Sequence, residues 1–150
     1  MITRRSLPWI LVCVLSAGVE VAAGAQVRIG DRAVVTVEVA QTEAEKIRGL
    51  SGREGLAPGR GILFVYEAPA RPLIWMRGMR FPLDILWIRD GRVVDLVTGA
   101  KPPAPGEAPQ VFSPREEVHY VLEVPAGFAK RHGVRLDDPV QINLERGGEQ

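Results

Sequence analysis

Residues 74–88 read IWMRGMRFPLDILWI, a largely apolar stretch interrupted by one aspartate and two arginines. From residue 81 onward its side chains alternate between the two faces of a β-strand. One face would carry Phe81, Leu83, Ile85 and Trp87, and the other Pro82, Asp84, Leu86 and Ile88. Asp90 and Gly91 follow, the residues that a type I′ turn needs, so residues 92–97 should return as the partner strand. The stretch therefore predicts a β-hairpin.

The remaining sequence predicts a small β-rich domain around this hairpin. Alternating apolar residues predict further strands at 34–39, 61–66, 118–124 and 140–144. A capping box at Thr42 and Glu45 predicts a short helix that Gly49 ends in the left-handed conformation, and residues 125–132 fit helical turns closed by Gly133. Residues 101–114 carry five prolines and predict a long, stiff loop. With no βαβ alternation, we expect one α+β domain with a curled or barrel-like, mostly antiparallel sheet and two short helices.

Five segments carry a resemblance to a known family. They read RGLSGR at 48–53, GILFVY at 61–66, WMRGMRFPLDI at 75–85, YVLE at 120–123 and GVRLDD at 133–138. Together they resemble the DUF192 family, small and mostly bacterial proteins of unknown function, over about residues 34–144, the expected core. The resemblance implies a fold and no chemistry. The sequence departs from the family pattern at Ser51 for Met, at Arg77-Gly78 for Lys-Asn and at Asp137 for Gly, so a site that used the Lys-Asn amide would be altered here.

The first 25 residues have the order of a secretory signal. Arg4 and Arg5 are basic, residues 7–17 are apolar, and Ala23-Gly24-Ala25 is a small-residue cleavage site. We expect cleavage before Gln26 and a single domain over 26–150, located in the periplasm or secreted. The alternative is an uncleaved N-terminal anchor, which the short apolar run disfavours.

Loss of the leader excludes several classes of function. Cys13 is the only cysteine, so the mature chain would have no disulfide, thiol nucleophile or thiolate-bound metal. Lys plus Arg fall from 19 to 17 and Asp plus Glu from 18 to 17, which leaves zero net charge and argues against nucleic-acid binding. His119 and His132 are isolated and form no zinc motif. We expect a monomer without metal, cofactor or, after cleavage, membrane anchor.

Asp84 is the first candidate functional residue because its own strand face is otherwise apolar. A buried, unpartnered carboxylate costs several kcal/mol, so it needs partners. The candidates are the arginines Arg48, Arg53, Arg77 and Arg80, or backbone amides of the preceding loop. Asp84 is then either a general base or ligand-binding group, or a structural acceptor that holds the loop at 75–80.

Trp75 is the second candidate. An aromatic side chain beside Gly78, with Arg77 and Arg80 close in sequence, is suited to stack on a flat ligand and to hold an anionic group. The alternative is that Trp75 covers one end of the core.

Three hypotheses of function follow. The leading one is a ligand-binding or accessory module of the cell envelope, whose partner is a small molecule or an envelope component. Its site would lie between the loop at 75–80, the Asp84 strand and residues 48–53. One alternative is a hydrolase that uses Asp84 with Glu123 or His119, although no complete catalytic set is visible. The other is a protein-interaction domain that uses residues 101–114, whose prolines lower the ordering cost of binding.

Overall fold

The computed structural model describes residues 25–144, which form one β-rich domain. The strands are β1 (Gln26–Ile29), β2 (Ala33–Ala40), β3 (Arg60–Ala70), β4 (Ile74–Trp75), β5 (Leu83–Arg89), β6 (Arg92–Ala100), β7 (Val111–Phe112), β8 (Val118–Pro125) and β9 (Val140–Asn143). The helices within the described range are α1 (Glu43–Arg48) and α2 (Phe128–His132). The predicted fold class is confirmed. The predicted leader as far as Gly24 lies outside the described residues.

Seven strands form one curled sheet in the order β6-β5-β8-β3-β2-β1-β9. Neighbouring strands are antiparallel except β2 and β3, which run parallel. The sheet curls until its two edges meet. At this contact Arg92 of β6 forms a bridge with Pro139, and the Val140 amide donates to the Gly91 carbonyl oxygen at 2.7 Å. β4 and β7 form a separate two-stranded ribbon.

Both faces of the sheet are covered by apolar clusters. The barrel cluster draws on all seven strands and on α2, and it includes Val27, Val35, Leu63, Leu86, Val93, Leu122, Phe128 and Val140. The outer cluster lies on the opposite face and includes Leu50, Phe64, Met76, Ile85, Trp87 and Val121. The alternation predicted for β5 is confirmed, since Leu86 and Ile85 fall in different clusters, and residues 83–88 are all buried because both faces are covered.

The turn and cap predictions are confirmed in most details. Thr42 caps α1, and the reciprocal contact with Glu45 completes the capping box. Asp90 and Gly91 have φ values of +48° and +69°, which is the type I′ hairpin. The left-handed Gly133 closes α2. The prediction for Gly49 is wrong in conformation, because its ψ of −128° lies outside the left-handed helical region although its φ is positive.

Three short strands were not predicted. β1 lies in front of the expected core, and the side chains of Val27 and Ile29 are fully buried, so the core begins at Ala25 rather than near residue 34. β4 and β7 have two residues each and pair with one another. β7 therefore gives the end of the proline-rich loop a fixed place beside β4. In residues 25–144 there is no helix with the length and apolar character needed to cross a membrane.

Candidate functional site

A pocket of about 250 Å³ opens on the face of the sheet that carries the outer cluster. One wall is the exposed side of α1 and the turn that follows it, as far as Ser51. The opposite wall is formed by residues 72–75 together with Met79. Phe64 and Tyr66 of β3 and Glu123 of β8 come from the sheet beneath.

The two walls are tied together by hydrogen bonds between their loops. Ser51 Oγ donates to the Arg77 carbonyl oxygen at 2.9 Å, and the Gly52 amide donates to the Gly78 carbonyl oxygen at 2.9 Å. Gly78 has a φ of +71°, and a Cβ there would lie 3.3 Å from the Cβ of Ser51. Two of the departures from the family pattern, Ser51 and Gly78, are therefore in contact with each other, and a small residue at each lets the loops approach.

Glu123 is the chemically unusual residue of the pocket. It lies on β8 between Ile62 of β3 and Ile85 of β5, and its side chain is only 5% exposed. Among the described residues, no hydrogen-bond donor or cation pairs with its carboxyl group. Burial raises the pKa of Glu123 to about 8. The group is therefore mostly a neutral carboxylic acid at pH 7, and it adjoins the pocket.

Polar side chains of α1 surround the opening. Lys46 Nζ lies 3.1 Å from a Glu43 carboxylate oxygen and 4.6 Å from the ring centroid of Tyr66. Burial, followed by the charges of Glu43 and Glu123, raises the pKa of Tyr66 to about 12, so its hydroxyl keeps its proton. Arg48 also lines the pocket, and it forms no ion pair with any residue in the range 25–144. The opening thus has one paired cation and one that is available to a ligand.

The rim of the pocket also carries exposed apolar side chains. The large hydrophobic side chains most exposed to solvent in the described part of the chain are Leu73 at 66% and Ile47 at 63%, and both line it. Trp75 lines it too and is 43% exposed. Val111 of β7, which is 53% exposed, pairs with Trp75 in the β4–β7 ribbon. These four side chains together form a patch that contains much of the solvent-exposed surface of large apolar side chains in residues 25–144.

The structure places some of the predicted site residues at the pocket and others away from it. Trp75 and Arg48 line the pocket. Arg53 makes two hydrogen bonds to Glu38, at 2.6 and 2.7 Å, and its guanidinium lowers the pKa of that carboxyl. Arg80 pairs with Glu54. Arg77 contributes its backbone carbonyl to the contact with Ser51, and its side chain does not line the pocket.

Asp84 lies outside the pocket, and its partners differ from those expected. It is fully buried and accepts hydrogen bonds from the amides of Gly99 and Ala129, each at 2.9 Å. In the part of the chain that the structure describes, neither an arginine nor the loop before β5 donates to this carboxylate. The carboxylate thus joins β5 to the end of β6 and to the first turn of α2, which is a structural task.

The structure does not bring Asp84 and Glu123, one pair of the predicted hydrolase arrangement, to the same face of the sheet. Asp84 is opposite Val124 and Glu123 is opposite Ile85, so the two carboxyl groups point to different faces of the sheet. His119 is not among the residues that line the pocket. Residues 25–144 also contain no group of three or more His, Cys, Asp or Glu side chains placed to hold a metal ion.

Sequence reasoning undervalued Glu123 and missed Tyr66 and Lys46. Glu123 follows Val121 and Leu122 and precedes Val124, the same pattern of one carboxylate within an apolar strand that singled out Asp84. What the sequence does not give is which elements cover that face of the strand. For Lys46 the only signal is its place three residues after Glu43 on α1.

Comparison with known proteins shows a family and no activity. The family model of DUF192, described as uncharacterized, matches residues 25–142. A crystal structure of a protein of unknown function from Novosphingobium aromaticivorans is similar, with 31% identity, a TM-score of 0.69, and 77% of this chain and 83% of that chain covered. A protein of Sinorhizobium meliloti, described provisionally as a transcription regulator, has 33% identity and a TM-score of 0.71, with 82% and 97% covered. No curated protein matches the chain in sequence.

Proposed function

Since the chain belongs to the DUF192 family, whose description names no activity, we propose a function from the pocket itself: the protein is a binding module for a small ligand. One observation carries this proposal. Glu123 is only 5% exposed and lines a pocket large enough for a small organic group, and its carboxyl receives no hydrogen bond from residues 25–144. A ligand in the pocket would supply to Glu123 the hydrogen bonds that residues 25–144 do not supply.

The rim supports a ligand that is larger than the pocket. Ile47, Leu73 and Trp75 are exposed around the opening, and an apolar or aromatic body lying over them would remove that surface from water. Trp75 offers a flat face for stacking. Arg48 would attract an anionic substituent of the ligand at the edge.

We propose further that this module acts in the cell envelope or outside the cell. The basic, apolar and small-residue segments of residues 1–25 support export. The ligand would then be an envelope component or a small molecule taken from outside the cell.

A protein partner is the second candidate for the ligand. β7 stands at the end of the proline-rich loop, and it places Val111 beside Trp75. A partner that covers both side chains would use the loop at 101–114 and the pocket together. Transcription regulation, the provisional description of the Sinorhizobium protein, is less well supported, because the formal net charge is only +1, and zero after the expected cleavage, which gives little overall attraction to nucleic acid.

The test is a ligand screen of the mature protein with paired variants. Sugars, peptidoglycan fragments, nucleotides and organic acids are screened by thermal shift, and hits are titrated by calorimetry. Trp75→Ala should weaken a true pocket ligand by about tenfold, which corresponds to about 1.4 kcal/mol. Leu136→Ala is the control, because Leu136 is exposed to a similar extent and does not line the pocket. A hit whose affinity both variants leave unchanged would place its binding site elsewhere and count against the proposal.

A further inference from the structure

The hydrogen-bonding groups of the pocket restrict the chemical class of its ligand more narrowly than the pocket volume does. The inference drawn from them rests on the proposed function. β8 contributes Glu123 to the pocket lining, and this residue is ionisable. Apolar side chains such as Leu50, Phe64 and Ile74 line the same pocket. The groups facing this pocket from the other elements are Glu43, Lys46 and Arg48 of α1, and Tyr66 of β3. Any ligand group that reaches Glu123 must satisfy an acid that has no protein partner in residues 25–144.

A cationic group fits this setting poorly. It would have to pass Lys46 and Arg48, while Glu43, the carboxylate that α1 contributes to the pocket, is already paired with Lys46. It would also require Glu123, which is only 5% exposed, to lose its proton, and a buried ion pair repays that cost only with further hydrogen bonds.

An anionic group meets the opposite difficulty. The cations of α1 would attract it to the opening. Next to Glu123, however, two carboxyl groups would have to share a single proton, since two carboxylates in one site repel each other. An anion is therefore better placed at the rim beside Arg48 than at Glu123.

A neutral amide satisfies the site completely. A protonated carboxyl presents one O–H donor and one C=O acceptor in the same plane. An amide edge with N–H beside C=O accepts from the first and donates to the second, and no net charge is buried. We infer that the pocket selects ligands that present such an edge to Glu123, as a primary carboxamide or a lactam ring does, with an aromatic or apolar body directed toward Trp75.

Three fluorinated probes of matched shape separate these classes. 4-Fluorobenzamide, 4-fluorobenzoate and 4-fluorobenzylammonium carry the same ring and differ in the polar group. Titrations followed by ¹⁹F NMR give their affinities at about pH 6.5 and about pH 9, on either side of the pKa of Glu123. We expect the benzamide to bind tightest at the lower pH and to weaken by about fivefold or more at the higher pH, where Glu123 loses the O–H donor.

Variants of Glu123 make the result specific. Glu123→Gln keeps one donor and one acceptor, so it should retain benzamide binding and lose its pH dependence. Glu123→Leu removes both hydrogen-bonding groups and should weaken the benzamide by about tenfold or more, since one hydrogen bond alone corresponds to about that factor. Glu117→Gln, on the exposed approach to the same strand, should behave as the parent.

The outcomes that overturn the inference are distinct from failure of the binding function. Tightest binding by the ammonium probe, rising with pH, would make Glu123 a cation site. Tightest binding by the benzoate would place an anion there. If either ranking still depends on Trp75, as tested with Trp75→Ala, the pocket binds small ligands and only the amide selectivity is wrong. Absence of saturable binding by all three probes would overturn the amide selectivity, and the ligand screen would then decide the binding function by itself.

Discussion

Two buried carboxyl groups on neighbouring strands show how the surroundings of a residue decide its role. Asp84 receives two backbone amides, and its charge is thereby solvated by the protein. Glu123 receives no donor from the described residues, so burial keeps its proton in place. Asp84 is therefore satisfied within the fold, whereas the hydrogen-bonding groups of Glu123 have no partner among residues 25–144.

Asp84→Asn should destabilise the protein. Both carboxylate oxygens accept from N–H groups, whereas an asparagine must point its own NH₂ at one of these donors. A hydrogen bond to a charged group contributes about 1.5–3 kcal/mol, which in a domain of this size lowers the melting temperature by several degrees. Melting curves at neutral pH measure the change, with Asp90→Asn in the exposed turn as the control. An unchanged melting temperature would contradict the structural role.

Glu123 should make stability fall as pH rises. Its pKa is raised by burial from 4.5 to about 8, so the folded state keeps a proton that the unfolded state releases between these values. Its contribution is complete below about pH 4.5 and is lost as pH rises to about 8, on the order of several kcal/mol in all. Glu38, whose pKa is lowered by the hydrogen bond from Arg53, acts in the opposite direction and loses its contribution as pH falls.

Urea unfolding at a series of pH values between about 5 and about 8 measures this slope, and Glu123→Gln should flatten it. Glu117→Gln is the control and should keep the parent's slope. A parent protein whose stability is constant or rises across that range would show that Glu123 is ionised in the folded state.

At the scale of elements, the junction of β2, β3 and β8 depends on a glycine. β3 runs parallel to β2 on one side and antiparallel to β8 on the other. A Cβ at Gly61 would lie 2.8 Å from the Glu123 carbonyl oxygen and 3.0 Å from Cγ1 of Val35. Backbone on one side and a buried valine on the other leave no room for a methyl group.

Gly61→Ala should therefore destabilise the fold by about 1–3 kcal/mol, the usual cost of overpacking. Gly55→Ala is a matched control, because Gly55 has no neighbouring atom within 4 Å of the added Cβ. Urea unfolding of the two variants should separate them clearly. Equal stability of both would show that the sheet relaxes around the new methyl group.

The elements with a strong local pattern were predictable. The hairpin at Asp90-Gly91 and the cap at Thr42 follow from turn and capping chemistry that acts over a few residues. β4 and β7 were not predictable, because two residues cannot show a period and their pairing joins positions about 37 apart in the sequence. The candidate site was predictable only in part. Trp75 and Arg48 stand out from their neighbours in the sequence. The place of Glu123 in the pocket depends on how α1 and residues 72–75 cover β8, which a local pattern does not show.

The start of the domain coincides with the expected end of the leader. Ala25 is buried, and its carbonyl oxygen accepts from the Val37 amide at 2.8 Å. We expect exported protein to begin at Gln26, which mass spectrometry of the intact protein measures. Cleavage there removes Ala25, so a form that begins at Gly24 should be more stable by about 1 kcal/mol, the contribution of one hydrogen bond. Exported protein that retains residues 1–25 would contradict the predicted cleavage.

The pairing of β1 with β9 has a consequence for chain connectivity. Gln26 lies opposite Asn143 in an antiparallel ladder, where facing residues are about 4.5–5.5 Å apart. A short linker from residue 144 to residue 25 would therefore close the chain into a ring without disturbing the sheet. Opened instead in the exposed turn at residues 104–107, the ring becomes a circular permutant that should keep the melting temperature and the pocket of the parent. The barrel can then carry its chain ends on the side of the molecule where a fusion partner is wanted.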